Sequence, residues 1–250
     1  MKLEELASFL DDFLDTRGFK DTSSNGLQIE GRKEVKKVGF AVDACVDAFK
    51  KAKELGLDLL IVHHGLIWGE LKSVRGLFYE RLKSLLEDEI SLYVAHLPLD
   101  AHPEVGNNIQ LLKELGAEFE ANFAEYEGRK IGVIGRIQTK MDVLEREVEE
   151  RLKTRVRSLR FGGDSIAKVS VVSGSGAFAI EEASRLSDCL LTGEYRHEAY
   201  HAAKELEFNV IFAGHYATER AGLKALMEKV KGLGLETFFI ELLDQNFPDY

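Results

Sequence analysis

The stretch LLIVHHGLIWGE (Leu59–Glu70) sets four branched apolar residues directly against two histidines and a glycine. A short apolar run bounded in this way reads as a buried strand. Successive strand side chains face opposite ways, so both imidazoles reach one point only if the chain turns at His63 or His64. Gly65 is expected to supply the permissive backbone for that turn. The pair therefore belongs at a strand end, which is where chemistry collects in parallel sheets.

Working outward, short apolar strands alternate with amphipathic helices. VKKVGFAVDA is followed by the helical CVDAFKKAKELG, then DLLIVHH, the helical GLFYERLKSLLED, and ISLYVAH. This order predicts an α/β protein with mostly parallel pairing. At the N-terminus Leu3, Leu6, Leu10, Phe13 and Leu14 recur at helical spacing between acids, the pattern of an amphipathic helix and not of a signal peptide. With three prolines and no low-complexity stretch, two closely joined lobes are expected, not domains on a flexible linker. EFEANFAEYEGR (118–129) reads as the polar passage between them, which gives a first α/β repeat over 1–120, a second over 121–250 and a site between the two.

The halves resemble each other. GFAVDACVDAFKKAKELGLDLLIVHHG can be laid beside SVVSGSGAFAIEEASRLSDCLLTGE, with Asp58 opposite Asp188. One strand later, His96-x-x-x-Asp100 is matched by His215-x-x-x-Glu219. The expectation is an internal duplication of two similar α/β subdomains with mostly parallel mixed sheets.

Composition narrows function. No apolar run approaches the ~18 residues of a membrane span, and with no signal peptide the expected location is the cytoplasm. The two cysteines, Cys45 and Cys189, stand far apart in apolar contexts and read as free thiols. A net charge of −10 disfavours nucleic acid and adds weight to a small-molecule substrate.

His63, His64, His96, Asp100, His215 and Glu219 all follow predicted strands. Imidazole and carboxylate without thiolate suit Zn, Mn, Fe, Co or Ni. Even five ligands from this group exceed what one catalytic zinc takes from protein, so two divalent ions per chain fit better, with a carboxylate such as Glu219 able to bridge them.

SSNGLQIEG, HHGLIW, AHLPLDAHPEVGNN, LLTGE and AGHYATER, in this order along nearly the whole chain, resemble the Nif-three-like family, commonly labelled GTP cyclohydrolase I type 2. The resemblance implies that His63, His64, Asp100, His215 and Glu219 ligate two divalent ions, with Glu219 bridging. It also implies two similar subdomains and a ring-shaped homohexamer. His201 follows the family pattern after TGE, and with His96 and Glu194 it becomes a candidate for orienting ligands or moving protons. His197, four residues earlier on the same predicted helix, departs from that pattern and reads as a solvated position.

SGSGAF lacks the Lys of a P-loop and the third Gly of a dinucleotide fingerprint, so a tight strand-to-helix turn is expected. The function expected from all this is a dinuclear metal-dependent hydrolase acting on a nucleotide or related phosphorylated heterocycle. The alternative is a non-catalytic metal-binding assembly protein that binds a protein partner or single-stranded nucleic acid.

Overall fold

The computed structural model describes residues 1–70 and 73–242. In chain order its first elements are α1 (Leu3–Leu14), β1 (Gly26–Ile29), β2 (Lys37–Asp43), α2 (Val46–Leu55), β3 (Leu59–His64), α3 (Leu77–Glu87), β4 (Ser91–Val94) and α4 (Leu97–Asp100). Then come α5 (Asn107–Glu114), β5 (Glu118–Tyr126), β6 (Arg129–Lys140), α6 (Met141–Leu152), β7 (Arg157–Arg160), β8 (Ser165–Val172) and α7 (Ile180–Ala183). The last are β9 (Cys189–Thr192), α8 (His197–Glu205), β10 (Asn209–Phe212), α9 (His215–Thr218), α10 (Arg220–Lys231) and β11 (Glu236–Phe239). Among the described residues, no helix is long and apolar enough to cross a membrane.

The chain forms two compact units, one built from 1–99 and the stretch beginning at Leu223, the other from 100–222. In the first, the sheet order is β1-β4-β3-β2-β11, with β1 antiparallel to β4 and the remaining pairs parallel. Leu60, Val62, Leu92 and Val94 pack with Ala48, Phe49 and Ala52 of α2 in its core. Helix α1 buries Leu3, Leu6, Ala7, Leu10 and Leu14, and ends where Asp15 turns left-handed at φ 52°.

The second unit has the order β5-β6-β8-β9-β10-β7. Strands β8, β9 and β10 run parallel, β7 joins β10 antiparallel, and β6 joins β8 antiparallel. Its core gathers Val169, Val171, Cys189, Leu191 and Ile211 with Leu144 and Val148 of α6. Burial raises the Cys189 thiol far above its usual range, and both cysteines are free thiols, Cys189 buried and Cys45 half-buried.

Each unit thus contains an antiparallel edge strand (β1, β7) followed by three parallel strands laid down in the same order. The register makes the correspondence residue by residue. Leu59 pairs with Val38 and Ser91 in one unit, and Cys189 pairs with Val169 and Asn209 in the other. The aspartate before each central strand does the same work. Asp58 accepts the backbone N–H groups of Lys36 and Lys37 at 2.8 and 3.0 Å, and Asp188 accepts those of Ala167 and Lys168 at 2.8 and 2.9 Å. This correspondence runs through Ala95 and Ala213. There Gly214, at φ +89°, adds one residue before His215, so the His-x-x-x-carboxylate match is offset by one in the fold.

Two local expectations are corrected. EFEANFAEYEGR is no passage: it forms strand β5 and the turn into β6, so residue 120 lies inside a strand. Tyr126 pairs with Arg129 around Glu127 and Gly128, both at positive φ, the two-residue hairpin geometry that matches strand twist. Gly65, for its part, has no positive φ. A Cβ there would meet the Gln28 amide at 2.7 Å and Val94 Cγ2 at 2.5 Å, so its role is close approach, not conformational freedom.

Burial pushes the Asp58 carboxyl up, but the two backbone N–H groups and Arg32 outweigh it and hold its pKa below the usual carboxylate value. Its contribution is then present above the unfolded pKa and lost as pH falls through the folded one. Asp58→Ala should cost about 1.5–3 kcal/mol at neutral pH, read from urea unfolding midpoints, and the gap to wild type should narrow toward pH 3. An unchanged midpoint at pH 7 would contradict a stabilising role for these two hydrogen bonds.

Candidate functional site

In the first unit, β3 ends on His63 and His64 and β4 runs into His96. His63 is fully buried, and His64 and His96 are half-buried. One ring nitrogen from each lies within 4.8 Å of the others. Ring centroids are 4.9 Å apart for His63 and His64, and 5.0 Å for His63 and His96.

What orients the rings is the same for all three. His63 Nδ1 sits 2.7 Å from the carbonyl of Ala95, His64 Nδ1 2.8 Å from Asp43 Oδ1, and His96 Nδ1 2.9 Å from Asp21 Oδ2. Carbonyls and ionised carboxylates only accept, so each Nδ1 donates and Nε2 carries the lone pair. A histidine anchored by one nitrogen and presenting the other is the arrangement of metal-binding imidazoles.

SSNGLQ fixes the surrounding chain. Asn25 Oδ1 accepts the His96 backbone N–H at 2.7 Å, and its Nδ2 donates to Asp21 at 2.8 Å. Gln28 Oε1 accepts the N–H groups of Leu66 and Ile67 at 2.9 and 3.0 Å. Burial would raise the Asp21 pKa, but His96, Asn25 and Ser23 lower it to about 2, so this anchor stays ionised.

The second unit holds Asp100, Glu194, His215 and Glu219. Asp100, 7% exposed, accepts Asn107 Nδ2 and Ser173 Oγ, both at 2.9 Å. The neighbouring Asn108 donates to the carbonyls of Asp100 and Ile131 and accepts the Ser173 N–H. The two asparagines of PEVGNN are therefore braces that set the carboxylate. His215 Nδ1 lies 2.6 Å from Glu194 Oε1, and Nε2 lies 3.0 Å from Glu219 Oε1. Ser175 Oγ donates to the other Glu194 oxygen.

SGSG is the tight turn expected from its sequence, and it is shaped around these groups. A Cβ on Gly174 (φ +59°) would stand 2.2 Å from Glu219 Oε1 and 3.2 Å from His215 Nε2. Thr218 Oγ1 accepts the Gly174 N–H, and Thr192 Oγ1 accepts that of Gly176, each at 3.0 Å. His201 lies on the exposed face of α8, with its ring 6.0 Å from that of His197 and 5.4 Å from Tyr200.

Sequence reasoning missed Asp21, Asp43, Asn25, Gln28, Ser173, Gly174 and Ser175. Asp43 and Ser173 carried a usable signal, since both stand at the carboxyl ends of parallel strands, β2 and β8. Asp21 and Gln28 sit in loop and edge-strand positions with no periodic pattern to mark them.

The fold and these groups define an α/β protein whose units carry imidazole and carboxylate groups able to hold metal ions. The chain belongs to the Duf34/NIF3 (NGG1p interacting factor 3) family, which it matches over residues 1–246. A Pyrococcus abyssi protein named GTP cyclohydrolase 1 type 2 homolog is 52% identical, covering 96% of this chain and 98% of its own. The homolog of the same name from Archaeoglobus fulgidus is 48% identical over 97% and 98%. Among solved structures, TTHA1606 from Thermus thermophilus superposes with a TM-score of 0.90 at 38% identity, covering 98% of this chain and all of its own. A structural-genomics protein ybgI of unknown function gives 0.92 at 35%, covering 98% and 99%.

Burial would lower the His215 pKa, but Glu219 and Glu194 outweigh it and raise it to about 9. In metal-free protein this ion-paired imidazolium stabilises the fold fully below the unfolded value near 6.5, and the contribution is lost as pH rises through about 9. A ring NMR titration should place the His215 midpoint near 9, and Glu219→Gln should lower it. A midpoint at 6.5 in wild type would contradict this geometry.

Proposed function

We propose that the protein holds two divalent ions through His63, His64, Asp100, His215 and Glu219, with Glu219 as the bridge. Its proposed reaction is hydrolysis of a nucleotide or related phosphorylated heterocycle. The observation that carries the reading is the anchoring of His63 and His64 through Nδ1 to a carbonyl and a carboxylate, which turns Nε2 of both toward a ligand, with His215 Nδ1 held in the same way by Glu194. The name GTP cyclohydrolase 1 type 2 homolog, borne by relatives at 52% and 48% identity, supports the substrate class.

The donor set fits ions of borderline softness such as zinc, manganese, iron, cobalt or nickel. Bound there, such ions would activate water and polarise substrate oxygens as Lewis acids. The chain's own residues supply the rest. Asp43 and the Ala95 carbonyl hold His64 and His63 in the tautomer that can ligate. His96, kept in orientation by Asp21, offers Nε2 as a proton acceptor. Glu194 accepts the hydrogen bond of His215 Nδ1–H, and Ser175 keeps that carboxylate in place. Two carboxylates against two divalent ions leave net positive charge, which favours an anionic substrate.

Elemental analysis after reconstitution should find two ions per chain in wild type. Glu219→Gln should deplete both ions, and His63→Ala mainly one. Occupancy should fall in acid, because protonated imidazoles and carboxylates do not ligate. Loaded protein should turn over at least one member of a panel of purine nucleotides and phosphoesters, and Asp100→Ala should abolish that activity. Two ions retained in Glu219→Gln would remove it as the bridge, and none in wild type would end the dinuclear reading. Metal bound without turnover of any compound would favour the non-catalytic binding protein.

A further inference from the structure

Trp68 is the single tryptophan of the chain, and it stands 41% exposed beside the histidines of the first unit. Its ring meets His96 edge-on at 4.9 Å between centroids and lies 6.2 Å from His64. Exposed aromatic side chains are ordinarily free to move. This one is held. The indole Nε1 donates to the carbonyl of Gly65 at 2.9 Å, and Trp68 pairs as an isolated bridge with Ser23. Its loop is clamped by Gln28, which accepts from Leu66 and Ile67 and donates to the carbonyls of Ser24 and Ile67.

With its only polar atom satisfied inside the loop, the indole presents to solvent nothing but apolar ring surface. A rigid exposed ring loses little conformational freedom when a ligand settles on it. Stacking on aromatic rings suits any planar base, because every base has a π-face. A cationic ligand is disfavoured by the divalent ions proposed at the adjacent imidazoles, and an alkyl chain would not use the flat face.

We propose that Trp68 forms the stacking surface of a subsite for a planar heterocycle, a purine base in the first instance, next to His64 and His96. This rests on the proposed function for its substrate class. It goes beyond that reading by assigning recognition of the ring to a residue that ligates nothing. Trp68 is a specificity residue, and the histidines and acids do the chemistry.

The lone tryptophan makes the test direct. Guanosine monophosphate and ribose 5-phosphate are titrated into zinc-loaded protein, with tryptophan emission and equilibrium dialysis as readouts. The monophosphate should quench the emission saturably, and ribose 5-phosphate should not. Trp68→Leu should weaken guanosine monophosphate binding about 5- to 100-fold with zinc content unchanged, and Trp68→Phe should restore it to within about 3-fold. The proposal is overturned if wild type binds no guanosine monophosphate, if Trp68→Leu binds it as wild type does, or if that variant loses both ligands equally. Failure of the hydrolase reading is a different result: Trp68-dependent binding of the nucleotide with no turnover would leave the subsite standing. Wild-type hydrolysis by Trp68→Leu of phosphoesters with and without a ring would do the reverse.

Discussion

The hydrogen bond from Nδ1 of His63, His64, His96 and His215 to a fixed acceptor is the interaction on which the proposed chemistry depends. A free imidazole exchanges tautomers and rotates, so either nitrogen can face a ligand. Here the acceptors are the Ala95 carbonyl, Asp43, Asp21 and Glu194. Three of them are carboxylates, which bind the proton more firmly than a neutral acceptor does. For His63, His64 and His96 the tautomer is set by the protein before any ion arrives, whereas His215, an imidazolium below about pH 9, would give up its Nε2 proton on ligating one.

Holding those acceptors and the Asp100 carboxylate takes polar side chains in places where burial is costly, and hydrogen bonds offset that cost. Asn107 and Asn108 are fully buried, yet each bonds to Asp100, Ser173 or the backbone around them. Asn25 ties Asp21 to the His96 backbone. Absence of side chains matters as much. At Gly193 a Cβ would meet the Gly174 carbonyl at 2.7 Å and Thr218 Oγ1 at 2.8 Å, so the second unit's turn closes only with glycine at both positions. Motifs such as LLTGE and SSNGLQ therefore encode scaffolding more than chemistry.

Much of this was legible in the chain. The alternation of apolar runs and amphipathic segments gave β2 through β4 and the helices between them within a few residues, because those elements bury one face each. The duplication was visible through Asp58 and Asp188, whose matching hydrogen bonds explain why an acid recurs there. The hairpin of β5 and β6 was obscured by the acids on its exposed face, although Phe119, Ala121 and Phe123 alternate and Glu127-Gly128 marks the turn. The groups that anchor the histidines were harder to see. Asp21 is 75 residues from His96 in sequence, and only the fold makes them neighbours.

The anchoring can be measured directly. Long-range proton–nitrogen NMR of selectively labelled histidines reports which ring nitrogen carries the proton and which one an ion perturbs. At neutral pH and without metal, His63, His64 and His96 should be Nδ1–H tautomers, and zinc should shift Nε2 of His63, His64 and His215. Protons on Nε2 of the first three, or shifts appearing at Nδ1, would contradict the anchoring.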